Sequence, residues 1–413
     1  MTMTASSTVQ SKPPLQPLRI VNHDYGAFAF PVQLSRELAR RGHEVIHLYS
    51  DFEPHGGRLE KTSDDPKTFS AEAVSIGESF QKYSFRKRMM QELKYRQKLL
   101  ARIEAFKPSI VFSSNTPILV ANFLERALHS RGIRYVHWTQ DIHTLAIRQV
   151  LPKKFGVLGS LGANYLHGLE KNAINRADAA IVISDDFKTA LGKLDITPKQ
   201  TYTIPNWMPL DEMKPEAKVN PWSIRHSLDK TLNIMYVGTM SFKHDHQIFV
   251  ELAKSFKDNP QVRVVVVGAG IAWDNLMAVK QEQKLDNLVL LGWQKYEEIA
   301  YVFAAGDILM SAIAPDASQY SVPSKVLSYL SVARPVLAAI PAHNLVRQLL
   351  HQHNMGLATE PEDIPGFIVA AKKLVASPEL RETMSKNGRA YAEYTFDIRR
   401  IGDQFETIMQ SVL

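Results

Sequence analysis

The chain has 413 residues, 45% of them apolar and 22% charged, a composition that buries large cores and excludes a disordered or fibrous protein. Lysine and arginine number 49 against 42 carboxylates, and the resulting +7 suits an acidic substrate or an anionic membrane surface but is too spread out for a nucleic-acid binder. Cysteine is absent, which excludes disulfides and thiolate metal sites, and no apolar run is long enough to span a bilayer.

Residues 1–17 are rich in Ser, Thr and Pro and lack an apolar signal core. They read as a disordered lead on a cytoplasmic protein. Leu18 to Asn22 reads as a buried strand, Pro31 to Arg41 as a helix stopped by Gly42, and Val45 to Tyr49 as the next strand. Strand, loop, helix and strand make a βαβ unit that opens a parallel sheet. Gly26, in the first loop, sits where a backbone can approach a ligand. Gly56 to Ser75 reads as loop. Lys82 to Lys107 is a helix by its spacing, with Met89, Leu93, Leu100 and Ile103 on the inner face. It carries nine cations against Glu92 and Glu104, so 82–107 is a candidate contact for an anionic membrane surface. Further strands are expected at Ser109 to Phe112, Arg134 to Trp138 and Ala179 to Ile183. Helices fall between them, the last a long one from Leu158 to Ala177 carrying Leu161, Tyr165, Leu169 and Ala173. Asp141 and His143 follow the carboxyl end of a strand, where open parallel sheets bind their ligands.

Tyr202 to Trp207 runs into a Pro-Asn corner, and the proline-punctuated stretch after it reads as a link between domains. A second βαβ series then begins. Strands at Leu232 to Val237, Val262 to Val267, Leu288 to Leu291 and Ile308 to Ala312 run into loops holding Gly238 and Lys243, then Gly268 and Gly270, then Gly292 and Trp293. Asp316 to Ile340 supplies a polar loop with Tyr320 and Ser321 and a Pro323-Ser324-Lys325 corner. It continues as a helix carrying Ser328 and ends in a buried strand. A loop feeding a helix N-terminus aims free N–H groups and a positive dipole at one spot, which suits a phosphate. Lys325 adds a full charge there, Ser324 can cap the helix, and Trp293 can stack on a base.

Ordered along the chain, these pieces resemble family 4 of the nucleotide-sugar glycosyltransferases. The resemblance rests on Gly42-His43-Glu44-Val45, Leu169-Glu170, Val182-Ile183-Ser184, Ile204-Pro205-Asn206, Tyr236-Val237-Gly238, Val267 to Gly270 and Leu291-Gly292. It implies an α/β protein of GT-B fold, two Rossmann-like parallel-sheet domains facing a central cleft. The implied division is a lead at 1–17, an acceptor domain at 18–205, a nucleotide-sugar domain at 206–395, and a terminal helix at 396–413 that crosses back.

The implied activity is sugar transfer from a nucleotide-sugar donor to a glycan or lipid-linked acceptor, with retention and with neither metal nor cofactor. Lys243 matches the lysine of the family's phosphate loop, and Lys325 stands at the second phosphate corner. With Asp141 they form the expected catalytic set. Gly26, Gly238, Gly268, Trp293, Tyr320, Ser321, Pro323, Ser324 and Ser328 form the expected donor site. Two departures stand out. Tyr320 and Ser328 occupy the positions of the family's paired glutamates, and Gln140 precedes Asp141 where the family has histidine. A Pro-Ser-Lys corner resembles a subgroup linked to surface polysaccharides. A non-catalytic nucleotide-sugar-binding homologue and a nucleotide-sugar epimerase remain as alternatives.

Overall fold

The computed structural model describes residues 15–52, 59–79, 84–240, 247–313 and 324–413. Lys243, Tyr320, Ser321 and Pro323 lie outside the described residues, as do most of the N-terminal lead and Lys82.

The first sheet collects β1 (Arg19–Asp24), β2 (Glu44–Ser50), β3 (Phe69–Val74), β4 (Ile110–Ser114), β5 (Arg134–Thr139), β6 (Ala179–Val182) and β7 (Thr201–Thr203). Its helices are α1 (Ala29–Arg40), α2 (Phe85–Phe106), α3 (Ile118–His129), α4 (His143–Arg176) and α5 (Asp185–Lys193). A short α6 (Pro221–Arg225) lies in the link. The second sheet collects β8 (Leu232–Val237), β9 (Val262–Val267), β10 (Leu288–Leu291), β11 (Ile308–Ala312), β12 (Val336–Ala339) and β13 (Gly356–Thr359). Its helices are α7 (Gln247–Ser255), α8 (Ile271–Glu282), α9 (Ile299–Ala304), α10 (Ser324–Ser331), α11 (Leu345–Gln352) and α12 (Ile364–Ala376), and the chain closes with α13 (Pro378–Thr395) and α14 (Ile398–Val412).

Both sheets are parallel throughout. Their orders are β3-β2-β1-β4-β5-β6-β7 and β10-β9-β8-β11-β12-β13. Central strands are covered on both faces, so they read as continuous apolar runs: β8 and β9 are buried along almost their whole length. In each sheet the strand order reverses once, between β1 and β4 and between β8 and β11. Such a switch point leaves a crevice outside the carboxyl ends of its two strands.

Two expectations are corrected, and two parts of the fold extend beyond what was expected. Phe69–Val74 is an edge strand where loop was expected, and α11 with edge strand β13 extends the second sheet past Ile340. Edge strands are half-exposed, so neither shows the apolar run that betrays a buried strand. On α2 the buried face runs through Gln91, Tyr95, Leu99 and Ile103, while Met89 is exposed. The helix expected from Leu158 to Ala177 is present as the second arm of a longer element. α4 begins at His143 and breaks at Gly156 (φ +54°), and Leu161 and Tyr165 face outward.

Aromatic packing joins the link and the last helix to the first sheet. Trp207 stacks on Trp138 at 5.8 Å, Phe30 meets both edge-on, and Phe405 of α14 packs on Trp138 and Phe112. Gln33 of α1 accepts from the Trp207 indole N–H (2.8 Å) and donates to Asp211 (2.7 Å). Arg41, just past α1, pairs with Asp403 and Glu406 of α14 at 2.7 and 2.8 Å. Gly402 leaves the room that its guanidinium fills.

Candidate active site

The two switch points differ in what occupies them. At the first, β1 ends in Asp24, whose side chain is fully buried. Its Oδ1 accepts from the Gly26 N–H (3.1 Å), from Asn115 Nδ2 (2.7 Å) and from the Ser114 hydroxyl (3.0 Å), and its Oδ2 accepts from the Phe28 N–H (2.5 Å). The Tyr25 N–H donates to the Ser114 carbonyl, so the loops after β1 and β4 are stitched together. Burial pushes the Asp24 carboxyl up from its ordinary value, and these donors oppose the shift. Beside it, His23 binds Ser113 through Nδ1 (2.8 Å) and Tyr95 through Nε2 (2.9 Å). Gly26 belongs to this arrangement: a Cβ there would lie 2.2 Å from the Phe28 ring, so the missing side chain makes room for an aromatic ring of the same loop. Sequence reasoning missed Asp24. A lone Asp at a strand end gives no sign that four donors converge on it.

At the second switch point the loops after β8 and β9 interlock through backbone alone. The Gly238 N–H donates to the Val267 carbonyl (2.8 Å), the Gly268 N–H to Leu291 (2.9 Å) and the Met240 N–H to Ala269 (2.9 Å). Gly268 (φ +148°) has no space for a side chain, since a Cβ would sit 2.1 Å from the Gly238 carbonyl oxygen. Over Gly238 (φ +139°) lies the stem of Lys325, whose Cε occupies the place of a Cβ at 2.3 Å. Lys325 is the second residue of α10 and therefore comes from the strand-to-helix connection after β11, the other side of the crevice. Its Nζ lies 5.2 Å from the centroid of the Tyr236 ring. Among the described residues no carboxylate is within ion-pair reach of it, and burial lowers its pKa below the ordinary lysine value. A buried ammonium without a counter-charge is costly, and an arriving anion relieves that cost.

The other expected residues are distributed around this point. Ser324 is exposed at the first turn of α10, and Ser328 lies one turn on, buried. Trp293 follows β10 and is 64% exposed, its ring open to stack on a flat partner. Its loop is braced: Gln294 accepts from the indole N–H of Trp222 in α6 (2.8 Å) and donates to the Gly292 carbonyl (2.9 Å). Asp141 belongs to the first sheet and is exposed just past β5. The residue before it, Gln140, is buried and accepts from Nδ2 of Asn206 in the link at 2.6 Å. The loop that presents Asp141 is thereby tied to the Pro-Asn corner. His143 is held by its backbone: its N–H and that of Thr144 both donate to the Glu170 carboxylate at 2.9 Å.

Comparison with known proteins agrees with this architecture. Residues 26–212 match the model of Glycosyltransferase Family 4, and residues 231–377 match that of Glycosyl transferases group 1. An alpha-D-kanosaminyltransferase of Streptomyces kanamyceticus is 22% identical over 251 residues, covering 59% of this chain, and the match spans 63% of that relative's length. Among solved structures, sucrose-phosphate synthase of Thermosynechococcus elongatus aligns over 96% of this chain and 99% of its own, with 16% identity and a TM-score of 0.71. HepE of Anabaena, in complex with UDP-glucose, aligns over 95% and 100%, with 16% identity and a TM-score of 0.70. With both halves matched and two parallel sheets of seven and six strands, this chain belongs to the family 4, group 1 glycosyltransferases of GT-B fold.

Proposed function

We propose that the protein transfers a sugar from a nucleotide-sugar donor to a lipid-linked or polysaccharide acceptor, with retention and without a metal ion. The observation that carries this reading is Lys325, a half-buried ammonium with no ion-pair partner among the described residues, placed over Gly238 at the second switch point. A diphosphate supplies the missing charge, and the open face of Trp293 suits the base.

In this reading the bond between the anomeric carbon and the leaving phosphate oxygen breaks, and its electron pair stays on the diphosphate. Lys325, Lys243 and the amides at the start of α10 stabilise that charge, a preorganised contribution of roughly 3 kcal/mol per key donor. The acceptor oxygen bonds the anomeric carbon, and its proton passes to the leaving phosphate, so no separate protein base is needed. Asp141 orients the acceptor from the first sheet. Tyr320 and Ser328 take the places of the family's glutamates, so the donor ribose is held here without a carboxylate.

Calorimetric titration of UDP, GDP and ADP, without added metal, tests this reading. One nucleotide binds, and Lys325→Ala weakens it about tenfold to a hundredfold. Because burial lowers the Lys325 pKa, binding above that lowered value must take up a proton, so affinity falls at a lower pH than an ordinary lysine would give. Failure of every nucleotide to bind overturns the transferase reading in favour of a non-catalytic homologue.

A further inference from the structure

α4 is a helical hairpin. Its arms, 143–155 and 157–176, meet at Gly156 (φ +54°, ψ −132°), a conformation only glycine adopts easily. Three contacts show that the arms run back along each other. A Cβ on Gly159 would lie 2.0 Å from the Leu151 carbonyl oxygen, so the second arm packs directly on the backbone of the first. Thr144 Oγ1 lies 3.4 Å from His167 Nδ1. The Glu170 carboxylate accepts from the N–H groups of His143 and Thr144. In one straight helix residues 144 and 170 would stand about 39 Å apart. The base of the hairpin is therefore pinned beside the Asp141 loop, and the first arm, at about 1.5 Å per residue, carries the tip about 20 Å away.

The tip is apolar and uncovered. Val157 and Leu158 are 79% and 78% exposed, and Val150, Phe155, Leu161 and Tyr165 are each more than half exposed. Soluble chains rarely leave such a cluster open without use. The charge around it has one sign. From Ile142 to Leu169 the sequence carries Arg148, Lys153 and Lys154 and no Asp or Glu, and all three cations are exposed. Among the described residues none of the three forms an ion pair. In the same domain α2 also exposes Met89 and Met90. Apolar side chains flanked by unpaired cations match the boundary of an anionic bilayer, which offers acyl chains and negative headgroups together.

We propose that the tip of the α4 hairpin inserts into an anionic membrane surface and is the main membrane contact of this protein, ahead of the basic face of α2. The inference goes beyond the transferase reading and does not depend on it, because it is read by binding to lipid alone.

The test is flotation of the full chain with phosphatidylglycerol/phosphatidylcholine vesicles and, separately, with phosphatidylcholine vesicles. Wild type floats with the anionic vesicles at low salt. A Phe155→Ser, Leu158→Ser variant, exposed at both positions and therefore folded, loses about tenfold or more of that binding. Lys153→Glu, Lys154→Glu loses it as well, and Leu158→Trp shows a blue-shifted emission on anionic vesicles only. Equal flotation of wild type and the serine variant overturns the proposal. So does a wild type that ignores lipid but sediments as a dimer dissolved by the serine variant, which would make a second copy the occupant.

Discussion

The two switch points of this protein share a topology and differ in chemistry. The crevice between β1 and β4 is closed by its own side chains: Asp24 receives donors from Gly26, Phe28, Ser114 and Asn115. The crevice between β8 and β11 is built from glycine backbone, and it keeps a cation that no described carboxylate neutralises. At the first, the Asp24 carboxylate is satisfied internally and stabilises the fold. The other leaves a charge for a ligand to satisfy. Topology locates both crevices, but only the balance of donors, acceptors and charges says which is free to bind.

Acid should break the comparison most strongly, because the first sheet buries His23, His47 and His137 while the second buries no histidine among its described residues. Desolvation holds each of the three down to about 3, against an ordinary 6.5. Below 6.5 the unfolded chain takes up protons that the folded chain refuses, so the stabilisation present above 6.5 drains away as pH falls toward 3. Each imidazole contributes about 1.4 kcal/mol per pH unit over that window. Asp24, Glu92 and Glu125, raised by burial, act in the opposite sense and offset part of this loss. Hydrogen exchange at pH 5 should show the first sheet opening before the second; simultaneous opening would contradict the assignment.

Gly268→Ala comes next. It sets a methyl group 2.1 Å from the Gly238 carbonyl at a φ of +148°, and urea denaturation should show a loss of about 3 kcal/mol or more. A near-neutral result would mean that the interlocked loops can part without cost. Asp24→Asn is the smallest of the three. It replaces an acceptor oxygen with a donor among converging donors, and it should cost about 2 kcal/mol in the same measurement while leaving nucleotide affinity unchanged. An equal loss of affinity would show that the first crevice also serves the ligand.

Much of the fold was legible because central parallel strands are buried on both faces. Leu232 to Val237 and Val262 to Val267 are expected from apolar runs alone and stand as β8 and β9. The edges β3 and β13 were not legible, since a half-exposed strand of mixed composition looks like loop until a neighbour pairs with it. Of the expected site, Gly238, Gly268 and Lys325 come together at one crevice, while Gly26 leaves room for Phe28.

The sequence by itself determined the two βαβ series, the link between them, the glycines at the carboxyl ends of β8 and β9, and the family. All of these are written in local runs and short motifs, where neighbouring residues already carry the physical signal. Tertiary structure decided the rest. It closed one switch point around Asp24 and left Lys325 without a described carboxylate partner at the other. It also folded α4 back at Gly156, so that residues at helical spacing for a core face water instead. Each of these outcomes depends on what a residue meets far away in the chain, and a burial or a missing partner cannot be read until the distant elements are in place.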